Sequence, residues 1–309
     1  MWYFIASGIL ISFYAFYYNE SSKTNSDPIF TDPIQTSESE RTTIITFTDI
    51  LYFETTKIWL QRMLELGYAK QIKIYALDDV VYKNLKLLTS SPDYSDISSN
   101  QIEIVNDFFT VDKTKRTWKP NTKKIWHIRI QKISSLLQEG KTVLITDVDS
   151  IWNKFVDLES VFPDTSFDSV HSICGNSPKR VKNAWGFTLC GGFAIYRPTM
   201  NNIQIWRTLE KRCKKKCDDQ EELNLLYYEN DMQFFDWKND GEGRKFKEGV
   251  LKSKKLKILI LDEDFVLRGS DPTKCKVNWV MNPRISAKDG NKKLQMLQKL
   301  QNSICPINN

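Results

Sequence analysis

The chain has 309 residues, of which 41% are hydrophobic and 27% charged, so it is not a wholly disordered protein and can bury a large core. Its only histidines, His127 and His171, leave few ways to build a Ser-His-Asp triad and exclude an HExxH zinc helix. The formal net charge of +6 is spread over Lys-rich helices and fits an anionic small ligand better than DNA.

The first apolar segment, Trp2 to Tyr18, contains no charged side chain and has aromatic residues at both ends. Its length is near the lower limit for crossing a bilayer. We interpret residues 1–18 as a single-pass signal anchor and the Ser-, Thr-, Asp- and Pro-rich residues 19–41 as a linker. The alternatives are a cleaved signal peptide, which lacks a small-x-small site here, and a buried helix. The flanks do not determine the orientation of the anchor.

Beyond the linker, strand and helix patterns alternate. Helices are predicted from Asp49 to a stop at Gly67, from about Asp79, and over Lys124–Leu137 before Gly140. The predicted strands are Thr43–Thr48, Ile72–Ala76, Ile102–Val105 and Thr142–Thr146. This alternation predicts an α/β fold with parallel βαβ units, formed by a single domain over residues 42–309.

Acidic residues follow the predicted strands, at the edge of the sheet where α/β folds bind ligands. Asp49 follows the first strand, Asp78 the second, and Asp147 and Asp149 the most hydrophobic one. Because residues i and i+2 of an extended chain point the same way, the last two carboxylates are predicted to meet at one point. With phosphate oxygens they would suit magnesium or manganese. The alternative is that Asp149 only caps a turn.

Three segments, in this order, carry a family resemblance: Lys132–Trp152 with its Asp-Val-Asp motif, Trp185–Thr199 with a glycine pair and Arg-Pro-Thr, and Asp219–Asn224. The ordered set resembles the nucleotide-diphospho-sugar transferase family, glycosyltransferases with a GT-A fold that include plant-type cell-wall xylosyl-, arabinosyl- and galactosyltransferases. The resemblance extends roughly from Thr42 to the C-terminus. It implies a GT-A-like, Rossmann-type mixed sheet flanked by helices, forming a single catalytic domain behind the N-terminal anchor.

The resemblance also implies roles for individual residues. Asp147 would contact the nucleotide ribose or the metal shell, and Asp149 would bind Mn²⁺ or Mg²⁺, which neutralises charge on the departing diphosphate. Gly191 and Gly192 would let the backbone approach the donor sugar closely, although a bulge in a strand explains them equally well.

A second group of implied residues surrounds the donor sugar and its phosphates. Asp219 and Gln220 would contact the transferred sugar, and Asp218 with Asp219 would stabilise an oxocarbenium-like centre; N-capping of the following helix is the alternative role of Asp219 and Gln220. Further candidates for binding the nucleotide-sugar are Thr48, Asp49, Asp78, Arg129 and Lys132. For Arg129 and Lys132, one helical turn apart, a solvated helix face is the favoured interpretation.

The sequence departs from the family pattern near its C-terminus. Members commonly place a metal-binding His before a Lys-containing helix, whereas here Asn282 is the best match to that position. An amide oxygen binds a hard cation more weakly, which lowers the expected metal affinity. Lys288, Lys292 and Lys293 follow as candidate diphosphate contacts, with a solvated helix face as the alternative.

The implied function is transfer of a hexose or pentose from a nucleotide-diphosphate sugar, with a UDP-sugar expected, to a glycan or glycoprotein acceptor, with retention of configuration. The expected location is the lumen of the Golgi or endoplasmic reticulum, behind the membrane anchor. Two alternatives are a catalytically silent sugar-nucleotide-binding protein and a haloacid-dehalogenase-like phosphatase with Asp147 as its nucleophile. No nucleic acid partner is expected. The six cysteines leave disulfide pairing open, zinc is disfavoured, and Cys213 and Cys217 would lie on one face if they are on a helix.

Overall fold

A computed structural model describes residues 42–105, 109–112, 117–120, 122–154, 156, 167–213, 217–267, 279–281, 294–295 and 297–298. The predicted anchor at 1–18 and linker at 19–41 therefore lie outside the described residues. Within the described residues, no helix combines the length and the apolar character needed to cross a bilayer.

The first half of the domain alternates strands and helices as predicted. Its elements are β1 (Thr42–Thr48), α1 (Phe53–Glu65), β2 (Ile72–Ala76), α2 (Asp79–Thr89), β3 (Ile102–Ile104), β4 (Phe109–Asp112), β5 (Thr117–Pro120), α3 (Thr122–Gln138) and β6 (Thr142–Thr146). Asp49 caps a short 3₁₀ turn that leads into α1, and Gly67 and Gly140, which follow α1 and α3, adopt positive φ values of 79° and 77°. Glycine tolerates this left-handed conformation, so both predicted helix stops are confirmed.

The second half contributes antiparallel strands. Its elements are β7 (Ile151–Trp152), β8 (Ser169–Cys174), α4 (Lys179–Trp185), β9 (Thr188–Tyr196), α5 (Met200–Arg212), α6 (Asp219–Glu229), β10 (Met232–Phe234), β11 (Lys238–Asn239), β12 (Lys245–Leu251), β13 (Leu256–Leu261), β14 (Val266–Leu267) and β15 (Val280–Met281).

The central sheet has the strand order β10-β12-β13-β8-β9-β6-β1-β2-β3, with β11 paired to β12. Strands β6, β1, β2 and β3 are mutually parallel, while β9 runs antiparallel between β6 and β8. The expectation of an α/β mixed sheet flanked by helices is confirmed. Because β6 and β8 both oppose β9, their carboxyl ends lie at the same edge of the sheet.

The sheet is buried on both faces, and alternate strand residues belong to two hydrophobic clusters, one on each face. On one face Ile45 and Ile145 pack with α3, α5 and α6. On the other, Ile44 and Leu144 pack with α1 and α2. Each face is therefore covered by helices, and the carboxyl edge is where polar side chains gather.

Cys213 and Cys217 form a disulfide. The prediction that both lie on one helix face is wrong, because α5 ends at Arg212 and α6 begins at Asp219. The bond joins the residue after α5 to the residue before the cap of α6. Cys275 and Cys305 lie outside the described residues.

His171 is fully buried on β8, where its Nε2 lies 3.0 Å from the hydroxyl of Ser169 and its ring contacts the edges of Tyr196 and Tyr227. Burial lowers the pKa of His171 to about 3, so this imidazole is neutral and acts as a core residue.

Candidate active site

The acidic residues that follow β1 and β2 form hydrogen bonds around the carboxyl ends of these two strands. Asp49 accepts hydrogen bonds from the backbone N–H groups of Leu51 (3.0 Å) and Tyr52 (3.1 Å). Asp78 accepts one from Ile50 (2.8 Å), which links the two strand ends. Burial, followed by the nearby Asp78 charge, raises the pKa of Asp49. Both predicted acids lie at this edge, and both also have capping roles.

Thr48 lies at the same edge, at the end of β1. Its hydroxyl is 2.6 Å from that of Thr56, and its carbonyl accepts a hydrogen bond from Leu77 N (2.8 Å). The residue is buried at 2% exposure, so its side chain positions α1. The structure thus places Thr48 below the edge, as a support for the acidic residues.

The chain turns directly after β6. Ser150 N donates to the carbonyl of Asp147 (3.0 Å), so Asp147 to Ser150 form a turn. The prediction that Asp147 and Asp149 point the same way assumed an extended chain after β6. This assumption is wrong, because the chain turns there. Their environments differ as well, because the side chain of Asp147 is 43% exposed and residue Asp149 only 7%.

Arg129, on α3, brings the three predicted segments together. Its Nε lies 2.9 Å from Oδ2 of Asp219, and its Nη1 lies 3.7 Å from Oδ1 of Asp147. Its Nη2 donates to the carbonyl of Gly191. The Arg129 side chain is only 12% exposed, so the favoured interpretation of a solvated helix face is wrong for this residue. A planar guanidinium can serve all three partners because its donors point in fixed, divergent directions.

The glycine pair lies in a bulge of β9. Between the pairs His171↔Ala194 and Ile173↔Leu189, β8 advances two residues while β9 advances five, so β9 carries extra residues there. The bulge interpretation is therefore confirmed, and it serves the site. Gly191 N donates to Oε1 of Gln220 (3.0 Å), and a Cβ at Gly191 would lie 3.3 Å from Cβ of Gln220. Asp147 N donates to Gly192 O (3.1 Å).

The N-terminus of α6 supplies the last predicted group. Asp218 caps the helix, accepting from Glu221 N (2.9 Å), so the alternative role of Asp219 and Gln220 as the N-cap is wrong. Oδ1 of Asp219 accepts a hydrogen bond from Gln220 N (2.9 Å), and Oδ2 of the same carboxylate pairs with Arg129. The side chains of Asp219 and Gln220 thus meet the bulge of β9.

The electrostatics of this cluster are set by burial and by one cation. Burial raises the pKa of Asp219 to about 6, with Arg129 opposing the shift and Asp218 and Asp147 adding to it. Burial alone would lower the pKa of Arg129, but Asp219 and Asp147 outweigh it and the net pKa is raised. The pKa of Tyr52 is also raised, by burial and then by Asp49 and Asp147, so its phenol faces the same acidic edge.

Lys132 lies away from the other predicted residues. Its ammonium pairs with Glu103 on β3, which also pairs with Lys73 (3.1 Å), and lies over the ring of Tyr75 at 5.1 Å. The two lysines lower the pKa of Glu103 against the effect of its burial. Asn282 and Lys292, with Lys288 and Lys293, lie outside the described residues.

Two carboxylates at this edge are of the type that binds hard divalent cations. Asp147 and Asp149 offer carboxylate oxygens at the end of β6, and such cations take a few carboxylates and complete their shell with phosphate and water. Within the described ranges, no cluster of three or more His, Cys, Asp or Glu residues could hold a metal by itself. The predicted third ligand, Asn282, is outside those ranges.

Asn224 is a structural residue of the site that the sequence analysis did not assign. It is fully buried, its Oδ1 accepts from Leu189 N (2.8 Å), and its Nδ2 donates to Leu189 O (3.0 Å) and Gln220 O (2.7 Å). The amide thus fastens α6 to β9 just before the bulge. The available signal was the Asp-Gln-x-x-Leu-Asn segment, which ends on this residue one turn after Gln220.

Comparison with known proteins agrees with this arrangement of segments. The sequence profile described as nucleotide-diphospho-sugar transferase matches residues 69–281, which include Arg129, both acids after β6, the bulge and the start of α6. The chain therefore belongs to the nucleotide-diphospho-sugar transferase family. None of the curated proteins matches it.

Several solved structures are similar to the chain at low identity. The galactosyltransferase LgtC, solved with donor and acceptor sugar analogs, is 12% identical, with 86% of this chain and 97% of that one covered and a TM-score of 0.45. A glycosyltransferase involved in glycosylation of the major capsid of PBCV-1 is 8% identical, with coverages of 83% and 99% and a TM-score of 0.45. GlyE of Streptococcus pneumoniae TIGR4 is 11% identical, with coverages of 85% and 62% and a TM-score of 0.42.

Proposed function

We propose that the protein transfers a hexose or pentose from a nucleotide-diphosphate sugar, with a UDP-sugar as the donor, to a glycan or glycoprotein acceptor. The observation that carries this proposal is the convergence on Arg129 of the turn after β6, the bulge of β9 and the start of α6. These segments are distant in sequence, and the family profile spans all of them. A buried cation with carboxylates of perturbed pKa at one edge of the sheet is a common feature of functional sites.

The proposal includes a divalent cation, Mn²⁺ or Mg²⁺, held by Asp149 and Asp147. A diphosphate adds negative charge to an edge that already carries Asp49, Asp147 and Asp219. The guanidinium of Arg129 is already shared by two of those carboxylates. When bound, the metal would neutralise charge on the departing diphosphate.

The chain's own groups would hold the donor sugar. Gly191 lacks a side chain where β9 bulges toward α6, which lets Gln220 and Arg129 pack closely against the backbone beside the proposed donor sugar. Asp219 is ion-paired and Asp218 is engaged as a cap, so both are suited to stabilising positive charge on the sugar rather than to attacking it. Gln220 would fix the orientation of the sugar from the helix start. We propose retention of configuration, with acceptor attack and diphosphate departure on the same face.

The direct test is release of nucleoside diphosphate from a panel of UDP- and GDP-sugars, with manganese, magnesium or a chelator. Asp149→Asn, which keeps the shape of the side chain, is expected to lose metal-dependent turnover, whereas the exposed Asp93→Asn is expected to retain it. No metal-dependent turnover by the wild type with any donor would contradict the proposal. Donor binding without turnover would indicate a silent sugar-nucleotide-binding protein, and an acyl-phosphate on Asp147 would indicate a phosphatase. The anomeric proton signal of the product tests retention.

We also propose a luminal location in the Golgi or endoplasmic reticulum, with Trp2 to Tyr18 as the anchor. The Cys213–Cys217 disulfide supports an oxidising compartment. In sealed microsomes, a C-terminal tag on the full chain should resist added protease until detergent is present. Digestion without detergent would place the domain on the cytosolic side.

A further inference from the structure

A second concave site lies beyond the carboxyl end of β8. It is a cavity of about 460 Å³ whose lining includes Cys174, Asn176, Trp185, Phe187, Trp237 and Glu263. Flat aromatic faces are thus combined with an amide and a carboxylate. The accessible surface of this lining is mainly polar, and the aromatic side chains form one wall of it.

The aromatic wall of the cavity combines rings that pack against each other with one ring that is exposed. The ring centroid of Phe234 lies 5.0 Å from that of Trp185 and 5.1 Å from that of Phe187, and the ring planes are steeply inclined in both pairs. The ring centroids of Phe187 and Trp237 are 6.2 Å apart. Trp237 is 39% exposed, with the Lys247 ammonium 5.0 Å from the centre of its ring. Packed rings, of which Phe187 is buried, therefore support an indole that is partly accessible to a ligand.

The cavity lies at the same edge of the sheet as the candidate active site. Strands β6 and β8 flank β9 and run in the same direction, so the ends that carry Asp147 and Cys174 face the same side. Phe187 precedes Gly191 by four residues, a separation of at most about 14 Å along the chain. A ligand that extends from the bulge of β9 along the edge would reach the aromatic wall.

We propose that this cavity binds the glycan part of the acceptor, at sugar residues beyond the one that receives the transferred sugar. This inference rests on the proposed function. A pyranose ring has an apolar C–H face, which would stack on Trp237, and an edge of hydroxyl groups, which Asn176 and Glu263 would hydrogen-bond. A lipid would need a continuous apolar lining, whereas this one includes Asn176, Lys182 and Glu263.

The test uses the full-length protein and measures two activities separately. Hydrolysis of the nucleotide-sugar and affinity for UDP report the donor site, whereas transfer and saturation-transfer NMR with oligosaccharides report the acceptor site. The oligosaccharide probes are lactose, N-acetyllactosamine, cellotriose, xylotriose and mannotriose. At least one is expected to bind to the wild type.

Three variants separate stacking on Trp237 from a general loss of structure. Trp237→Ala is expected to raise the KM for the bound oligosaccharide about tenfold, corresponding to one lost aromatic contact. Trp237→Phe keeps a flat ring and should recover most of the affinity. Phe235→Ala is the matched control, because Phe235 is 52% exposed two residues away and does not line the cavity. Thermal melting verifies folding, and Asn176→Ala provides the test if Trp237→Ala does not fold.

The outcomes distinguish this inference from the proposed function. An unchanged acceptor KM in Trp237→Ala, or no binding of any probe to the wild type, would overturn the glycan site while donor hydrolysis still supported the transferase. Absence of UDP binding and of donor hydrolysis in the wild type would instead contradict the proposed function. Oligosaccharide binding that Trp237→Ala abolishes would support the glycan site in either case.

Discussion

The guanidinium of Arg129 and the carboxylate of Asp219 form a buried ion pair with an Nε to Oδ2 distance of 2.9 Å. The pair joins α3 to the start of α6, and a second contact of 3.7 Å extends it to Asp147. Removing a charged partner from a buried pair leaves the other charge without compensation. The resulting loss of folding free energy is larger than the net contribution of the intact pair. A substitution of either partner should therefore affect stability as well as the proposed donor binding.

Arg129→Ala should destabilise the fold by about 3 to 5 kcal/mol, because Asp219 would remain buried without its cation. Arg129→Lys should lose less stability but most of the donor turnover, since an ammonium cannot serve Asp219, Asp147 and the Gly191 carbonyl together. Urea unfolding and nucleotide-sugar turnover measure the two effects. Arg180→Ala, at an exposed pair with Glu229, should change neither. Wild-type turnover in Arg129→Lys would argue against this role.

Gly191→Ala should reduce donor turnover with little loss of stability. The added Cβ would lie 3.3 Å from Cβ of Gln220, which would have to shift by a few tenths of an ångström, and would be in ordinary contact with Nη2 of Arg129 at 3.5 Å. Gly241→Ala is the matched control, because a Cβ there meets nothing within 4 Å. Turnover of the preferred donor by the two variants measures this effect. Equal turnover in the two variants would show that the bulge tolerates a side chain.

The pKa of Asp219 predicts two opposite dependences on pH. Because burial raises this pKa from the ordinary 3.8 to about 6, the folded state binds the proton more tightly than the unfolded chain does. The contribution of Asp219 to stability is then fully present below pH 3.8 and is lost as the pH rises through about 6. The ionised form pairs with Arg129, so kcat/KM should rise over the same range.

Asp219→Asn tests both parts of the pH prediction. The variant should lack the fall in stability between pH 4 and 6 that the wild type shows in urea titrations, with both pH limits following from the ordinary and shifted pKa values. It should also have low turnover at every pH. The groups facing this carboxylate are Arg129, Asp218 and Asp147, so a persisting acid limb in kcat/KM would have to come from another residue and would contradict the assignment.

Asn224→Ala should destabilise the junction of α6 and β9. The amide makes three hydrogen bonds to buried backbone groups, and each unsatisfied group costs about 1 to 3 kcal/mol. Urea unfolding should show this loss, together with a higher KM for the donor. Asn201→Ala removes one exposed hydrogen bond and should stay within about 0.5 kcal/mol of the wild type. A destabilisation no larger than that of Asn201→Ala would contradict the role of Asn224.

The first half of the fold was predictable from local patterns. The apolar runs of β1, β2 and β6 and the helix stops at Gly67 and Gly140 reflect strand burial and backbone conformation, which the sequence encodes within a few residues. The antiparallel insertion of β9 between β6 and β8 was not predictable this way. A strand buried on both faces has the same composition in either direction.

The site was predictable in its residues more than in its geometry. The carboxylates at Asp49, Asp78, Asp147 and Asp219 do gather near the edge of the sheet. The burial of Arg129 could not be inferred, because the acids that surround it come from the turn after β6 and from α6. The turn at Asp147 was missed for a local reason: the extended conformation of β6 ends one residue earlier.

The pairing of β1 with β6 has a consequence for synthesis of the chain on the ribosome. Thr43 pairs with Val143 and Ile44 with Leu144, so one edge of β1 has no partner until β6 has been made. At usual rates of translation, about 5 to 20 residues per second, that interval lasts on the order of 5 to 20 s. During this time an apolar strand edge is exposed to other nascent chains. Early protection by a chaperone should therefore raise the yield of soluble protein more than protection after release.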